Sequence, residues 1–369
     1  MFSQTEQALG VARTPRTPEP PVSFFEFWPS WLFYTPVIAH CLLMGLRYRS
    51  LTVLTAANPA IPGGGLCGES KLDILNQIGP NVRPLVARYT SLRTHNWNAR
   101  ADLAQAEAEM AQADLDYPVV AKPDIACNGT GVRLINNAAD LLRYLAAFPR
   151  NQRLILQEYI PYDGEAGLFY IRHPNEPHGR ITSITLKYAP FVVGDGRSTI
   201  RELILADARA GRISHLYLPR LGSRLHEVPP AGAPVRLVFV GNHCKGSIFR
   251  NGIDHATPEL TAHAERIARS LPDFHFGRID IRFESIGALR RGEAFRIIEV
   301  NGVGSEATHV WDPRTRLWDA WRDQFYHYGQ AYRIGAANRA RGERPLDGPG
   351  IFRMWRLQKR LMRSYPLND

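Results

Sequence analysis

Two short segments alternate polar and aliphatic side chains: FGRIDIRF, Phe276 to Phe283, and FRIIEVNG, Phe295 to Gly302. Read as strands, their period of two puts Arg278 and Asp280 on one face, with Ile279 and Ile281 opposite, and sets Glu299 and Asn301 together around Val300. If the strands pair, two carboxylates and an amide converge as hard oxygen ligands. Mg²⁺ takes such ligands, with substrate phosphates completing its shell. Arg278 beside them is suited to neutralise charge on a phosphoryl group in transfer.

A second set lies upstream in YPVVAKPDIACNGTGVRLI, Tyr117 to Ile135. An apolar strand delivers Lys122, and a loop with Gly129 and Gly131 turns into a second strand, GVRLI. Glycines let a loop backbone close on an oxyanion, while a lysine at the strand end meets the same phosphates as a point charge. In LILQEYIPYDGEAG, Glu158 follows a strand and Glu165 comes seven residues later, past a Pro/Gly turn. Carboxylates at a hinge accept hydrogen bonds from ribose hydroxyls, and the same residues serve equally as surface turns. GGGLCGESK, Gly63 to Lys71, has the texture of a phosphate loop, but Glu69 stands where a P-loop needs its lysine. That stretch reads instead as a turn with Ser70 capping a helix.

Taken in order, the lysine strand, glycine loop, hinge glutamate, Lys187 in SITLKY, then R-I-D and E-V-N strands resemble the ATP-grasp ligases over about residues 116–331. The resemblance implies an α+β chain: an ATP-grasp fold of two α+β subdomains clamping ATP, preceded by a smaller helical or α/β lead-in domain. It implies that Lys122 and Lys187 contact phosphates under the loop Asn128, Gly129, Thr130, Gly131. Glu158 would lie near the adenine and Glu165 would hold the ribose. Asp280, Glu299 and Asn301 would bind Mg²⁺, with Mn²⁺ the other candidate and two ions in all, and Arg278 and Lys187 would act in catalysis.

The implied chemistry is attack of a carboxylate on the γ-phosphate of ATP, then displacement of phosphate from the acyl phosphate by an amine. No covalent enzyme intermediate is called for. The R-I-D and E-V-N spacing is similar to that of D-alanine–D-alanine ligase, but Gly304 and Ser305 stand where that family has Pro-Gly, which speaks against D-alanine. VVGDGRSTIRELI, Val192 to Ile204, instead looks like a segment of cyanophycin synthetase and related amino-acid ligases. Arg201, His243, Lys245, Arg250 and His309 are candidates to read an acidic second substrate. A small-molecule kinase on the same fold, and a non-catalytic nucleotide-binding protein at a membrane, are the alternatives.

Composition sets the frame. The 369 residues are 44% hydrophobic and 22% charged, as in globular proteins, and are long enough for two or three lobes. The expected division is a Pro-rich tail at 1–22, a lead-in domain at 23–115 with an apolar helix at 24–46, the ATP-grasp domain at 116–335 and a basic C-terminal tail or helix at 336–369. From Ala336 onward eight Lys or Arg face three acids, a net of five from the overall +10. The charge is thus terminal, and without an aromatic-interleaved basic sheet it does not suggest nucleic acid. With Trp28, Trp31 and the basic IFRMWRLQKRLMR, it suggests peripheral association with an anionic membrane, on its cytoplasmic face. Segment 24–49 reads as a buried, interfacial or spanning helix. Four scattered cysteines without C-x-x-C read as reduced thiols of a cytoplasmic protein.

Overall fold

The computed structural model describes residues 22–95 and 98–367, so the expected tail lies outside them except for Val22. The helices are α1 (Ser30–Arg47), α2 (Lys71–Asn76), α3 (Ala99–Gln112), α4 (Ala138–Ala147), α5 (Ile200–Ala206), α6 (Ser214–Leu221), α7 (Pro258–Arg269), α8 (Ile286–Arg291), α9 (Leu317–Ala340) and α10 (Gly348–Met362). The strands are β1 (Tyr89–Arg93), β2 (Val119–Pro123), β3 (Arg133–Ile135), β4 (Arg153–Glu158), β5 (Gly164–Ile171), β6 (Arg180–Tyr188), β7 (Phe191–Val193), β8 (Pro234–Arg236), β9 (Ile248–Asn251), β10 (Phe276–Phe283) and β11 (Phe295–Asn301). The chain forms two compact units, one of Met1–Ala87, Ile160–Leu186 and Phe249–Gln358, the other of Arg88–Tyr159, Lys187–Ile248 and Lys359–Asp369.

The first unit is built on a five-stranded sheet in the order β11-β10-β5-β6-β9. Strand β10 pairs antiparallel with both β11 and β5, and a bulge between Asp280 and Ile281 shifts the register. Above the shift Asp280 faces Glu299; below it Ile281 faces Ile297. Residues 297 and 299 would share a face in a regular strand. The extra residue, Ile298, lets one point with the apolar side and the other with Asp280. At one end of the sheet Phe169, Ile171 and Phe276 form a core with Val53, Leu54, Val303 and Tyr332.

Helix α1 begins at Ser30, six residues after the expected start. Pro29 restricts Trp28 before it to extended backbone, and Ser23 N–H donates to Glu26 Oε2 at 3.1 Å in the preceding turn. No helix of the described residues is long and apolar enough to cross a membrane, which removes the spanning reading of segment 24–49.

The second unit carries a four-stranded sheet, β1-β4-β2-β3, and the pair β7-β8. Leu141, Tyr144 and Leu145 of α4 and Ala106 and Met110 of α3 form one core with Val119, Leu154 and Leu156. The segment likened to cyanophycin synthetase has a clear local logic. Asp195 closes a turn by accepting from the N–H groups of Arg197 and Ser198 (2.8 and 2.6 Å), and Thr199 with Glu202 forms a capping box that starts α5. The expected strand in APVRLVFVG shrinks to Pro234–Arg236, because the Arg236 guanidinium donates to the carbonyls of Val238 and Phe239 (both 2.9 Å) and curls the chain.

Acid sensitivity follows from one buried ring in the first unit. His327 sits against Phe169, with Nδ1 donating to the Asp323 carbonyl at 2.7 Å and Nε2 3.0 Å from Thr182 Oγ1. Burial holds its pKa at about 4, against an ordinary 6.5. The unfolded chain takes a proton below about 6.5 and the folded one only below about 4, so this contribution is complete above pH 6.5 and lost as pH falls to 4. In thermal melts, His327→Gln is expected to flatten the fall of Tm across that window.

Candidate active site

Register brings the expected metal set together. Asp280 lies opposite Glu299 and Arg278 opposite Asn301, so all four side chains share one face. Arg278 grips Asp280 with Nε (2.9 and 3.2 Å to Oδ1 and Oδ2) and Nη2 (3.0 Å to Oδ2), and Asn301 Nδ2 donates to Oδ2 at 3.0 Å. Burial penalises the Arg278 charge, but Asp280 outweighs it and the guanidinium is held above its ordinary pKa. On the neighbouring strand, Gly167 is opposite Asp280; a Cβ there would stand 2.7 Å from Arg278 Cδ and 3.0 Å from Asp280 Oδ1. Glycine keeps that face clear for the pair.

The loop rejected as a phosphate loop arrives at the same place. Asn58, fully buried, accepts from the N–H groups of His275 and Phe276 (2.9 and 3.0 Å) and donates to the carbonyls of Phe276 and Gly64 (2.8 and 3.1 Å). Gly64 and Gly65 then run against the chain just past Asn301: Val303 N–H donates to Gly64 O (2.9 Å) and Gly304 N–H to Gly65 O (2.7 Å). Ser70 caps α2 by accepting from Asp73 N–H at 3.0 Å, as expected, and Lys71 Nζ comes within 3.3 Å of Glu299 Oε1. Lys71 lies in the stretch that reads in sequence as a helix-capping turn, and that reading does not supply its partner Glu299. The signal for that contact is the pair of glycine runs, GGG and NGVG: Gly64 and Gly65 hold left-handed backbone, and a Cβ at 65, 302 or 304 would meet backbone atoms at 2.8, 2.2 and 2.2 Å.

Further along β6, Thr185 Oγ1 accepts from Thr308 at 3.1 Å and Ser183 Oγ is 2.7 Å from His309 Nδ1. His309 Nε2 meets Asp323 at 2.8 Å. Lys187 lies on the same face of β6 by strand period and is buried. Glu165 is opposite Arg282 and pairs with it at 3.4 Å. Of the other candidates for an acidic substrate, Arg250 lies 3.9 Å from Asp312 in this unit, and Arg201, His243 and Lys245 belong to the other.

In the second unit, β2 delivers Lys122, buried, with Nζ donating to Gln157 Oε1 at 2.8 Å. The loop after it takes left-handed backbone at Asn128, Gly129 and Gly131 (φ 55°, 66° and 74°). A Cβ on Gly129 would meet Val240 at 2.3 Å, and one on Gly131 would meet Pro123 at 2.7 Å, so both glycines are required by space as well as conformation. Glu158 is engaged by Arg88, which donates through Nη2 to Oε1 (3.1 Å) and through its backbone N–H to Oε2 (3.0 Å). Sequence reading missed both Arg88 and Gln157.

These residues suit the groups that the resemblance implies. Gln157 Nε2 is buried without a hydrogen-bond partner among the described residues, a donor beside Lys122 that phosphate or nucleobase acceptors fit. For the metal, no trio of His, Cys, Asp or Glu among the described residues could hold an ion. Two carboxylates and an amide oxygen are nonetheless what Mg²⁺ uses when phosphates supply the remaining ligands.

A lysine strand and glycine loop followed by R-I-D and E-V-N strands is the order expected of ATP-grasp carboxylate–amine ligases, and this chain is similar to such ligases. It is 26% identical to cyanophycin synthetase of Trichormus variabilis over 212 residues, 53% of this chain and 23% of that protein. It is 28% identical to the bifunctional glutathione biosynthesis protein GshAB of Streptococcus thermophilus over 142 residues, 33% of this chain and 18% of that one. The matched region thus spans under a quarter of either relative. No family model matches. Among solved structures, VanG D-Ala:D-Ser ligase of Enterococcus faecalis is similar at 13% identity over 72% of this chain and 60% of that one, with a TM-score of 0.39, too distant a likeness to carry weight.

Proposed function

We propose that the protein is an ATP-dependent carboxylate–amine ligase that forms an amide or peptide bond and releases ADP and phosphate. The observation that carries this reading is the β10–β11 register, which aligns Arg278, Asp280, Glu299 and Asn301 on one face, in a chain related to cyanophycin synthetase. In this reading residues 116–335 are the ATP-grasp body and residues 23–115 the lead-in. Lys122, Lys187 and the loop Asn128 to Gly131 hold the phosphates, Glu158 and Glu165 lie by the adenine and ribose, and Asp280, Glu299 and Asn301 hold Mg²⁺ or Mn²⁺, two ions in all. The metal's chemistry is to neutralise phosphate oxygens and polarise the γ-phosphorus.

Arg278 stabilises the transferring phosphoryl group, and Asp280 fixes the plane of its guanidinium. Lys71 beside Glu299 orients the carboxylate substrate. The buried Lys122 reaches phosphate oxygens directly, and Lys122→Met is expected to raise the Mg-ATP dissociation constant about tenfold, roughly 1.4 kcal/mol, in calorimetric titration. The protein works in the cytoplasm, at the inner face of the membrane.

Phosphate release from Mg-ATP, screened against small carboxylates and amino acids singly and in pairs, tests the proposal. Turnover that needs a carboxylate and an amine together supports the ligase. Turnover with one compound, leaving a stable phosphorylated product, replaces it with a kinase. Silence across the panel together with intact nucleotide binding favours the non-catalytic reading.

A further inference from the structure

Helix α1 is held to its unit along one side only. Phe33 and Val37 are buried there, and Phe33 packs on Phe25 and Trp311 with ring centroids 5.5 and 4.6 Å apart. Trp321 Nε1 donates to the Phe33 carbonyl at 3.0 Å, and His40 stacks on Phe325 at 4.9 Å. The Tyr34 hydroxyl donates to Glu306 at 2.7 Å, and that carboxylate also accepts from Gln324 and Trp311 (2.6 and 3.1 Å). The helix is therefore fixed, and what its other side shows to solvent is a preformed surface.

That other side is apolar from end to end. Trp31, Ile38, Leu42, Leu43 and Leu46 are each at least half exposed, Trp31 and Leu46 at 70% and 74%. The one hydroxyl among them, on Thr35, donates back to the Trp31 carbonyl at 2.6 Å. Such a face offers a partner contact area with almost no directional bonding. A protein partner carries polar groups that need pairing, whereas hydrocarbon does not. Charge points the same way: from Phe27 through Gly68 there is no Asp or Glu, while Arg47 ends the last turn of the helix and Arg49 follows it, both exposed. Crossing the bilayer is excluded by the packed side of the helix and by its hydropathy.

We propose that α1 is the membrane-docking element, lying flat in the interfacial layer of an anionic bilayer with Trp31 at headgroup depth and Arg47 and Arg49 on anionic headgroups. This deepens the membrane part of the proposed function and rests on it, but not on the ligase chemistry. It also moves the main contact away from the basic C-terminal helix α10, where Leu361 is buried and Gln358 accepts from Gly68 N–H at 3.2 Å.

The test is co-sedimentation of the full chain with vesicles of phosphatidylcholine and phosphatidylglycerol (about 3:1) and with phosphatidylcholine alone, fold being checked by circular dichroism. The wild type is expected to sediment with the anionic vesicles at least about tenfold more than with neutral ones, on the basis of apolar burial plus headgroup attraction. Ile38→Asp with Leu42→Asp, both on the exposed face, should abolish that binding. Arg356→Glu with Arg360→Glu on α10 should leave most of it. If the α10 variant loses binding while the α1 variant keeps it, membrane association stands and the assignment to α1 falls. If the wild type binds neither vesicle, both fall. A wild type that ignores vesicles but self-associates, and becomes monomeric on Ile38→Asp, would assign the face to a second copy of the chain and overturn the proposal. Equal binding to both vesicle types would overturn the anionic requirement.

Discussion

Glu299→Gln is expected to lower Mg-ATP turnover by about 10²–10³-fold while leaving Tm nearly unchanged, because the change removes the charge proposed to bind the metal without altering shape. Its ion pair with Lys71 is partly solvated, so its loss costs at most about 1 kcal/mol. Asp280→Asn should lose turnover to a similar degree but should also destabilise the fold. Asp280 is 2% exposed and is the carboxylate that balances the Arg278 guanidinium, and leaving one member of a buried pair uncompensated costs about 3–5 kcal/mol. From alternation alone both substitutions look innocent to the fold. The structure separates them, and phosphate release with thermal melts on both variants reads the difference. Undiminished turnover in Glu299→Gln would remove the metal assignment.

The parts legible in sequence are those where side-chain period carries the information. Arg278, Asp280, Glu299 and Asn301 were placed on one face by the period of two, and β10 and β11 do pair. The bulge at Ile298 was not legible, since nothing in RIIEVN marks which residue is extra. Tertiary hydrogen bonding was equally silent: Asn58 reads as a turn residue beside Pro59, yet it ties His275, Phe276 and Gly64 together. Lys122 and Glu158 could be singled out, but Gln157 and Arg88 beside them could not, because one is a polar residue in an apolar strand and the other is thirty-four residues before Lys122. Helix α1 was legible as apolar, while its exposure depends on which side meets α9, a tertiary fact.

Gly302→Ala is expected to be a damaging small substitution near the site. A Cβ at 302 would lie 2.2 Å from the Gly64 carbonyl oxygen and 2.9 Å from Gly65 Cα, both backbone atoms that no rotamer change can move aside. One at 304 would lie 2.2 Å from Leu66 O. The chain after Asn301 must shift off the GGG loop, breaking the bonds from Val303 and Gly304 to Gly64 and Gly65. The expected loss is about 1–3 kcal/mol, with Lys71 displaced from Glu299, so Tm and Mg-ATP turnover should fall together. Gly348→Ala, where nothing lies within 4 Å of an added Cβ, is the control and should leave Tm unchanged or slightly higher. An unchanged Tm in Gly302→Ala would show that the two loops are not in contact in solution. The same geometry accounts for the departure from the D-alanine ligase pattern. Gly304 stands where that family has proline, and its N–H donates to Gly65 O at 2.7 Å. Proline has no N–H to give, so a chain that seats GGGLCGESK against the loop after Asn301 has to forgo the Pro-Gly turn.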